Sequence, residues 1–392
     1  MHLTREEEGI YDGEQGWAYQ TAMRMLVKLG DLFGATRLIR IESSHISGVS
    51  YKTIGDAPVE FLEALIQAGA KSKVAATANP AGFDYGHLAE MAAMPGIQDR
   101  QLKIIDLYER MGVNPVLTCT PYYVRKPRRA SHLAWAESSA VTYANSLLGS
   151  WTNREGAPSA LAAALIGKTP DCGMHRPENR QANIFIKVKT NPANEAEFGA
   201  LGIYLGKMLK DKVPVIEGLG YPKETDLKQL GAAMASSGMT SIFYPNQSCA
   251  KQSGRLESIT VERKELKEAS ESLSTTREEP DMVFVGCPHC SFNELKQIAQ
   301  NIKGKKVGEG LRFWVCTSRH VRERAKPYVD VIEHAGGVVI SDTCAVVTWL
   351  KELGVDTLMT NSAKTAYYAP TLNGVGVTFA SLTRCIKAVC RE

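Results

Sequence analysis

From residue 281 onward the chain alternates short apolar runs with amphipathic ones. Runs at 281–285, 312–315, 338–340 and 356–359 are strand-like, and helical patterns are read at 292–302, 321–334, 345–353 and near the C-terminus. Strands joined in this way form parallel sheets, because a parallel connection needs a crossover long enough to hold a helix. The same rhythm marks the N-terminal part, with strands predicted at 37–41, 73–77 and 116–119 and helices at 59–68 and 101–111. Thr4, followed by Glu6, Glu7 and Glu8, opens a helix that the pattern carries to about residue 29. The segment 256–280 interrupts the alternation: it is charged, rich in Ser and Thr, and stops at Glu278-Glu279-Pro280. The expected organisation is an N-terminal α/β region over 1–255, a charged connection over 256–280 and a C-terminal doubly wound lobe over 281–392, with no internal repeat.

A chain of 392 residues that is 44% hydrophobic and 22% charged has an ordinary globular profile with a large core. Its 46 basic and 42 acidic residues leave a net charge of only +4, which gives no footprint for nucleic acid and suits a small anionic substrate. The N-terminus is polar and acidic rather than a basic stretch leading into an apolar one, so no secretory signal is read. No apolar run approaches the ~18 residues of a membrane span, and the expected location is cytoplasmic. Nine cysteines there point to metal, catalysis or core packing before disulfides.

Three apolar runs end in cysteine: Val116-Leu117-Thr118-Cys119, Met282-Val283-Phe284-Val285-Gly286-Cys287, and Val338-Val339-Ile340-Ser341-Asp342-Thr343-Cys344. Ligands of open α/β sheets bind outside the carboxyl ends of the strands, so three thiolates at such ends can share one crevice. Three thiolates suit an iron–sulfur cluster with one iron left free. Cys287-Pro288-His289-Cys290 is also a CxxC, open to reading as a redox pair or as core packing; a zinc site would want a second such pair, and none is present. Cys316 also follows a strand and, by position alone, qualifies as well. Cys119 and Cys344 differ in having polar turns beside them, Thr120-Pro121-Tyr122-Tyr123 and Ser341-Asp342-Thr343. Cys172, Cys249, Cys385 and Cys390 lack that context and are read as small buried hydrophobes.

Other strand ends carry small and polar residues. These are Glu42 to Tyr51 around Gly48, Asn79-Pro80-Ala81-Gly82, Glu137-Ser138-Ser139, Thr152-Asn153-Arg154-Glu155-Gly156, and Asn361 to Tyr368 with Lys364. A lysine so placed suits a carboxylate or phosphate. Singly, each is more ordinary as a capped helix start or a solvated surface; their recurrence is the layout of an α/β active site.

Together these stretches, with Tyr143-Ala144-Asn145-Ser146 and Ala366-Tyr367-Tyr368-Ala369-Pro370, resemble the large subunit of the aconitase X family over essentially the whole chain. The resemblance implies an aconitase-like α/β fold, with doubly wound parallel sheets, helices on both faces and an active-site crevice between lobes. It implies a hydro-lyase whose [4Fe-4S] cluster, or less fittingly a [2Fe-2S] one, is held by Cys119, Cys287 and Cys344, and it demotes Cys290 and Cys316. Substrate contacts are implied at Gly48, Val49, Ser50, Asn79, Pro80, Glu137, Ser138 and Lys364. Lys364 is read as an anion clamp, with Glu137 and Ser138 as hydroxyl or carboxylate contacts; these three are the catalytic candidates. Relatives carry a swivelling domain that supplies a serine base. No stretch for it follows Glu392, so a separate small subunit of about 100–150 residues is expected as an obligate partner. The family implies either dehydration of (R)-5-phosphomevalonate to trans-anhydromevalonate 5-phosphate in archaeal isoprenoid synthesis, favoured because a split chain is typical there, or of cis-3-hydroxy-L-proline. Two other classes stand beside these: a thiol redox protein working through Cys287 and Cys290, and a non-enzymatic iron–sulfur sensor.

Overall fold

The strand Met282–Cys290 is buried at every position, the pattern of a strand covered on both faces. It is the centre of a five-stranded sheet in which Arg312–Thr317 and Val338–Ile340 lie to one side and Thr357–Thr360 and Gly376–Phe379 to the other. All four pairings are parallel. The computed structural model describes residues 1–91, 96–249 and 252–390. Near the N-terminus a second five-stranded parallel sheet is centred on Ser43–Ile46, with Ala75–Ala78 and Val113–Asn114 on one side and His132–Trp135 and Trp151–Arg154 on the other. The two sheets share one order: first strand central, second and third to one flank, fourth and fifth to the other. The chain repeats a topology that its sequence does not display as a repeat. In each sheet the connections leave the central strand in both directions, which opens a crevice outside its carboxyl end.

Between these sheets in sequence lies a third unit, in which Ala182–Val188 pairs in parallel with Gln252–Val261 and Pro214–Glu217. Its helices Glu195–Leu209 and Glu224–Ser237 pack closely enough that a Cβ on Gly202 would lie 2.5 Å from the Leu230 carbonyl oxygen. One apolar cluster runs from Ile184 and Ile186 through Met282 and Phe284 to Val377, so this unit and the C-terminal one share a core. The α/β fold with parallel sheets and flanking helices is as expected. Among the described residues no helix is long and apolar enough to cross a membrane.

Several elements differ from the sequence reading. The segment 256–280 is not only a connection: it holds the end of the strand Gln252–Val261 and the helix Arg263–Ser272, whose Leu266 and Ala269 face inward beneath a charged surface. Thr4 does cap a helix, reciprocally with Glu7, but Gly13 in the left-handed region (φ 100°) ends it, and a second helix runs over Trp17–Leu32. Val116 to Cys119 form no strand, because Pro115 lacks a donor and Leu117 takes a positive φ of 44°. The pattern at 321–334 splits into Arg319–Arg324 and Lys326–His334 around Pro327. The stretch 345–353 is a series of turns rather than a helix. Side chains from elsewhere take its backbone groups: Ser50 Oγ donates to Val347 O, Lys52 Nζ to Thr348 O, and Leu350 N donates to Asn373 Oδ1. The first strand, Leu38–Arg40, pairs antiparallel with Lys168–Pro170 outside the large sheet.

Candidate active site

Cys119, Cys287 and Cys344 are all buried free thiols. Cys287 ends the regular part of the central C-terminal strand; just before it, Gly286 takes a φ of 106° that turns the chain. Cys344 is reached through Asp342, also at positive φ, and receives the backbone N–H groups of Val346 and Val347. Cys119 comes from the N-terminal sheet and accepts the His289 N–H at 3.3 Å. Two of the thiols are shifted: burial first, then the charges of Glu137, Cys287 and Cys344, push Cys119 well up, and burial with Cys287 pushes Cys344 up to about 12. Among the described residues no three His, Cys, Asp or Glu side chains gather closely enough to hold one metal ion.

His289 links the three cysteine-bearing segments. Its Nε2 lies 3.0 Å from Thr343 O and its Nδ1 2.8 Å from Thr118 Oγ1. A carbonyl only accepts, so Nε2 carries the hydrogen, and Nδ1 accepts from the Thr118 hydroxyl. Burial holds the ring down to about 4 and therefore neutral, which fits this tautomer. Thr118 Oγ1 in turn accepts from Thr120 N at 3.1 Å.

Beside the thiols, the ends of the fourth strands of the two five-stranded sheets meet. Glu137 follows His132–Trp135, Lys364 follows Thr357–Thr360, and Lys364 Nζ donates to Glu137 Oε1. Ser139 donates to the same oxygen from its N–H and, at 2.9 Å, from its hydroxyl. Asn79 Nδ2 donates to Glu137 Oε2 at 3.0 Å. That fixes the Asn79 amide, leaving Oδ1 to accept from His45 Nε2 at 3.3 Å, while His45 Nδ1 accepts from Thr77 Oγ1 at 2.8 Å. Burial alone would raise the Glu137 carboxyl, but Lys364, Ser139 and Asn79 outweigh it and hold it at about 2. Lys364 is raised: burial opposes its charge, and Glu137, Cys287 and Cys119 more than compensate. The corner therefore holds a permanent ammonium against a permanent carboxylate.

Of the remaining candidates, Pro80 and Ser138 adjoin Asn79 and Glu137 in sequence, and the Gly48 loop follows the central strand of the N-terminal sheet. Gly48 takes a φ of 71° after Ser43–Ile46, and Val49 and Ser50 are buried. Ser50 Oγ reaches Val347 O at 2.9 Å, joining this loop to the turn that follows Cys344. Pro80 is buried after Asn79, and Ser138 is half-buried at the start of the helix Ser138–Tyr143. Cys290 packs in a different apolar cluster from Cys287. The Cys316 thiol donates to Thr343 O at 2.7 Å. Cys172, Cys385 and Cys390 are buried, as expected of small hydrophobes, and the Cys249 side chain lies outside the described residues.

Sequence reasoning passed over His45, Thr77, Ser139 and Gln101. Gln101 is fully buried and ties Val49 O, Tyr51 N and Gly82 N together. The available signal was Ser43-Ser44-His45-Ile46 itself, a polar run read as a loop. Its Ser44 hydroxyl is satisfied inside the protein, lying 2.7 Å from Ala160 O of the helix packed on the sheet and 3.0 Å from Ala134 O of the neighbouring strand, so the run can serve as a central strand.

Comparison with known proteins matches residues 1–178 to the aconitase X first domain, 182–271 to the second and 280–391 to the third. The chain belongs to the aconitase X family. It is 46% identical to the phosphomevalonate dehydratase large subunit of Methanothermobacter thermautotrophicus, over 97% of this chain and 96% of that one. It is 32% identical to the cis-3-hydroxy-L-proline dehydratase of Pseudomonas aeruginosa, over 97% of this chain but 69% of that protein. A crystal structure of Thermococcus kodakaraensis aconitase X in its holo-form superposes with a TM-score of 0.92 at 40% identity, covering 99% of each chain. Three aconitase X domain matches thus coincide with the three parallel units of the fold.

Proposed function

We propose that this aconitase X chain is the large subunit of a hydro-lyase that dehydrates (R)-5-phosphomevalonate to trans-anhydromevalonate 5-phosphate, a step of the mevalonate route to isoprenoids. The observation that carries this reading is the end-to-end match to an archaeal phosphomevalonate dehydratase large subunit, at 46% identity over 96% of its length. The likeness to the hydroxyproline dehydratase is weaker, at 32% identity, and the words "large subunit" in the archaeal relative's name support a separate partner here. That partner is proposed to be a small swivelling subunit that brings a serine base to the crevice.

Cys119, Cys287 and Cys344 are the residues that would hold a [4Fe-4S] cluster. Three buried thiols on turns from both five-stranded units, with Cys287 and Cys344 each acting on Cys119, suit the ligand set of a polynuclear group. Such a cluster, with one iron free of protein ligands, supplies Lewis acidity toward a departing hydroxyl. Lys364 holds the anionic end of the substrate as a fixed ammonium. Glu137, held ionised by Lys364, Ser139 and Asn79, serves as a hydrogen-bond acceptor that orients a substrate hydroxyl. Ser138, Asn79, Pro80 and the Gly48–Val49–Ser50 loop complete the substrate wall.

The test is anaerobic co-expression with the small subunit and side-by-side assay of 5-phosphomevalonate and cis-3-hydroxy-L-proline. Dehydration of the phosphorylated acid alone is expected. Turnover of hydroxyproline alone would reassign the substrate, and a loaded complex active on neither would remove the hydro-lyase reading.

A further inference from the structure

We propose that His289 is a positioning residue that sets the spacing of the three cluster thiols, an inference that rests on the function proposed above. His289 is fully buried, and all four of its polar groups are engaged by different parts of the molecule. Its backbone N–H points at Cys119 Sγ, its Nδ1 accepts from Thr118, its Nε2 donates to Thr343 O, and its carbonyl accepts from Lys228 Nζ at 3.0 Å. Thr118 neighbours Cys119, Thr343 neighbours Cys344, and His289 itself lies two residues beyond Cys287. One rigid ring thus spans the gap between the N-terminal unit and two separate turns of the C-terminal one.

The need for such a tether follows from the local backbone. Cys119 sits in an irregular turn after Leu117, and Cys344 in a turn entered through Asp342, both residues at positive φ. Neither cysteine is held by a strand ladder: single backbone bonds anchor the two turns, Thr118 N to Ala78 O at 3.3 Å and Ala81 N to Asp342 O at 2.7 Å, and His289 adds a side-chain bond to each segment. The polar contact at Cys119 adds an electronic effect, because an N–H aimed at a ligating sulfur tunes a cluster's potential. That N–H belongs to the backbone and survives substitution, so side-chain variants isolate the spacing role. Cys316 donates to the same Thr343 oxygen, which places this thiol among the groups that hold the turn.

The test uses the anaerobically loaded two-subunit complex and compares His289→Phe, His289→Gln and Thr118→Val with the parent. His289→Phe keeps a ring and removes both side-chain bonds. His289→Gln retains one amide donor that can reach Thr343 O, and Thr118→Val removes only the hydroxyl. The readouts are iron release to a chelator, the electron paramagnetic resonance spectrum of the reduced cluster, and thermal unfolding of the iron-free chain. Loss of an outer-sphere partner of this kind weakens metal retention by about 10–100-fold. The expected result is release faster by that factor in His289→Phe with a broadened spectrum, partial rescue by His289→Gln, and a smaller change in Thr118→Val. If His289→Phe does not fold, Thr118→Val carries the test alone. Parental iron release and spectrum in folded variants would overturn the proposal, even if the iron-free chain were less stable, since that pattern marks a purely structural residue. A parent complex that takes up no iron would sink the cluster reading itself, an outcome distinguishable from the first because it appears before any substitution is made.

Discussion

Glu137 and Lys364 gain their value as a pair. Both side chains are about one-tenth exposed (11% and 9%), so each charge has the other as its main compensation. Removing one partner of a buried pair strands the other charge, at a cost of about 3–5 kcal/mol. Lys364→Met should therefore destabilise the iron-free chain by that amount in urea unfolding, and Glu137→Gln combined with it should restore part of the loss. Additive losses would show that the two residues do not depend on each other. The pair also sets an acid limit. The folded-state value of about 2 for Glu137 lies below its ordinary 4.5, so its contribution is complete above about pH 4.5 and is lost as pH falls toward 2. Urea midpoints measured between pH 6 and 3 should fall more in the parent chain than in the Glu137→Gln variant. Both residues were selected from the sequence through family resemblance, but their pairing was not legible, because they lie 227 positions apart. The same holds for His45 and His289. Their residue types were in view, while partners such as Thr118 and Thr343 are set by how the units meet.

At the scale of elements, Gly286 is the most exacting position. Its φ of 106° is hostile to a side chain, and a Cβ there would lie 2.2 Å from the Cys316 carbonyl oxygen of the neighbouring strand. Gly286→Ala should cost about 2–6 kcal/mol from backbone strain and overlap combined, and should displace Cys287. Gly202→Ala is the control: it forces the helices Glu195–Leu209 and Glu224–Ser237 apart, at about 1–3 kcal/mol, without touching a cysteine-bearing turn. Thermal unfolding should fall in both, iron content only in the first; equal iron content in the two would detach Gly286 from the site. Elements with ordinary patterning were legible: the helix Phe292–Ile302 and the strand Val338–Ile340 have the predicted limits. Those that failed did so for local reasons. Ser43–Ile46 hides a central strand behind polar residues, and 345–353 has helical patterning whose backbone groups other side chains claim.

For the whole molecule, the two five-stranded sheets of identical order set the site. Turns beyond their carboxyl ends carry Cys119 from one and Cys287 and Cys344 from the other, and the Glu137–Lys364 pair joins the two. The charged segment 256–280 concealed the middle unit from sequence reading, since an edge strand and an amphipathic helix exposed on one side look like a linker. The proposed function requires cluster and substrate to meet in this one crevice. The most direct measurement is electron paramagnetic resonance of the reduced two-subunit complex, recorded without and with 5-phosphomevalonate. A substrate-dependent change in the spectrum is predicted, with the change weakened in Lys364→Met. An unchanged spectrum at saturating substrate, in a preparation that still forms product, would contradict the claim.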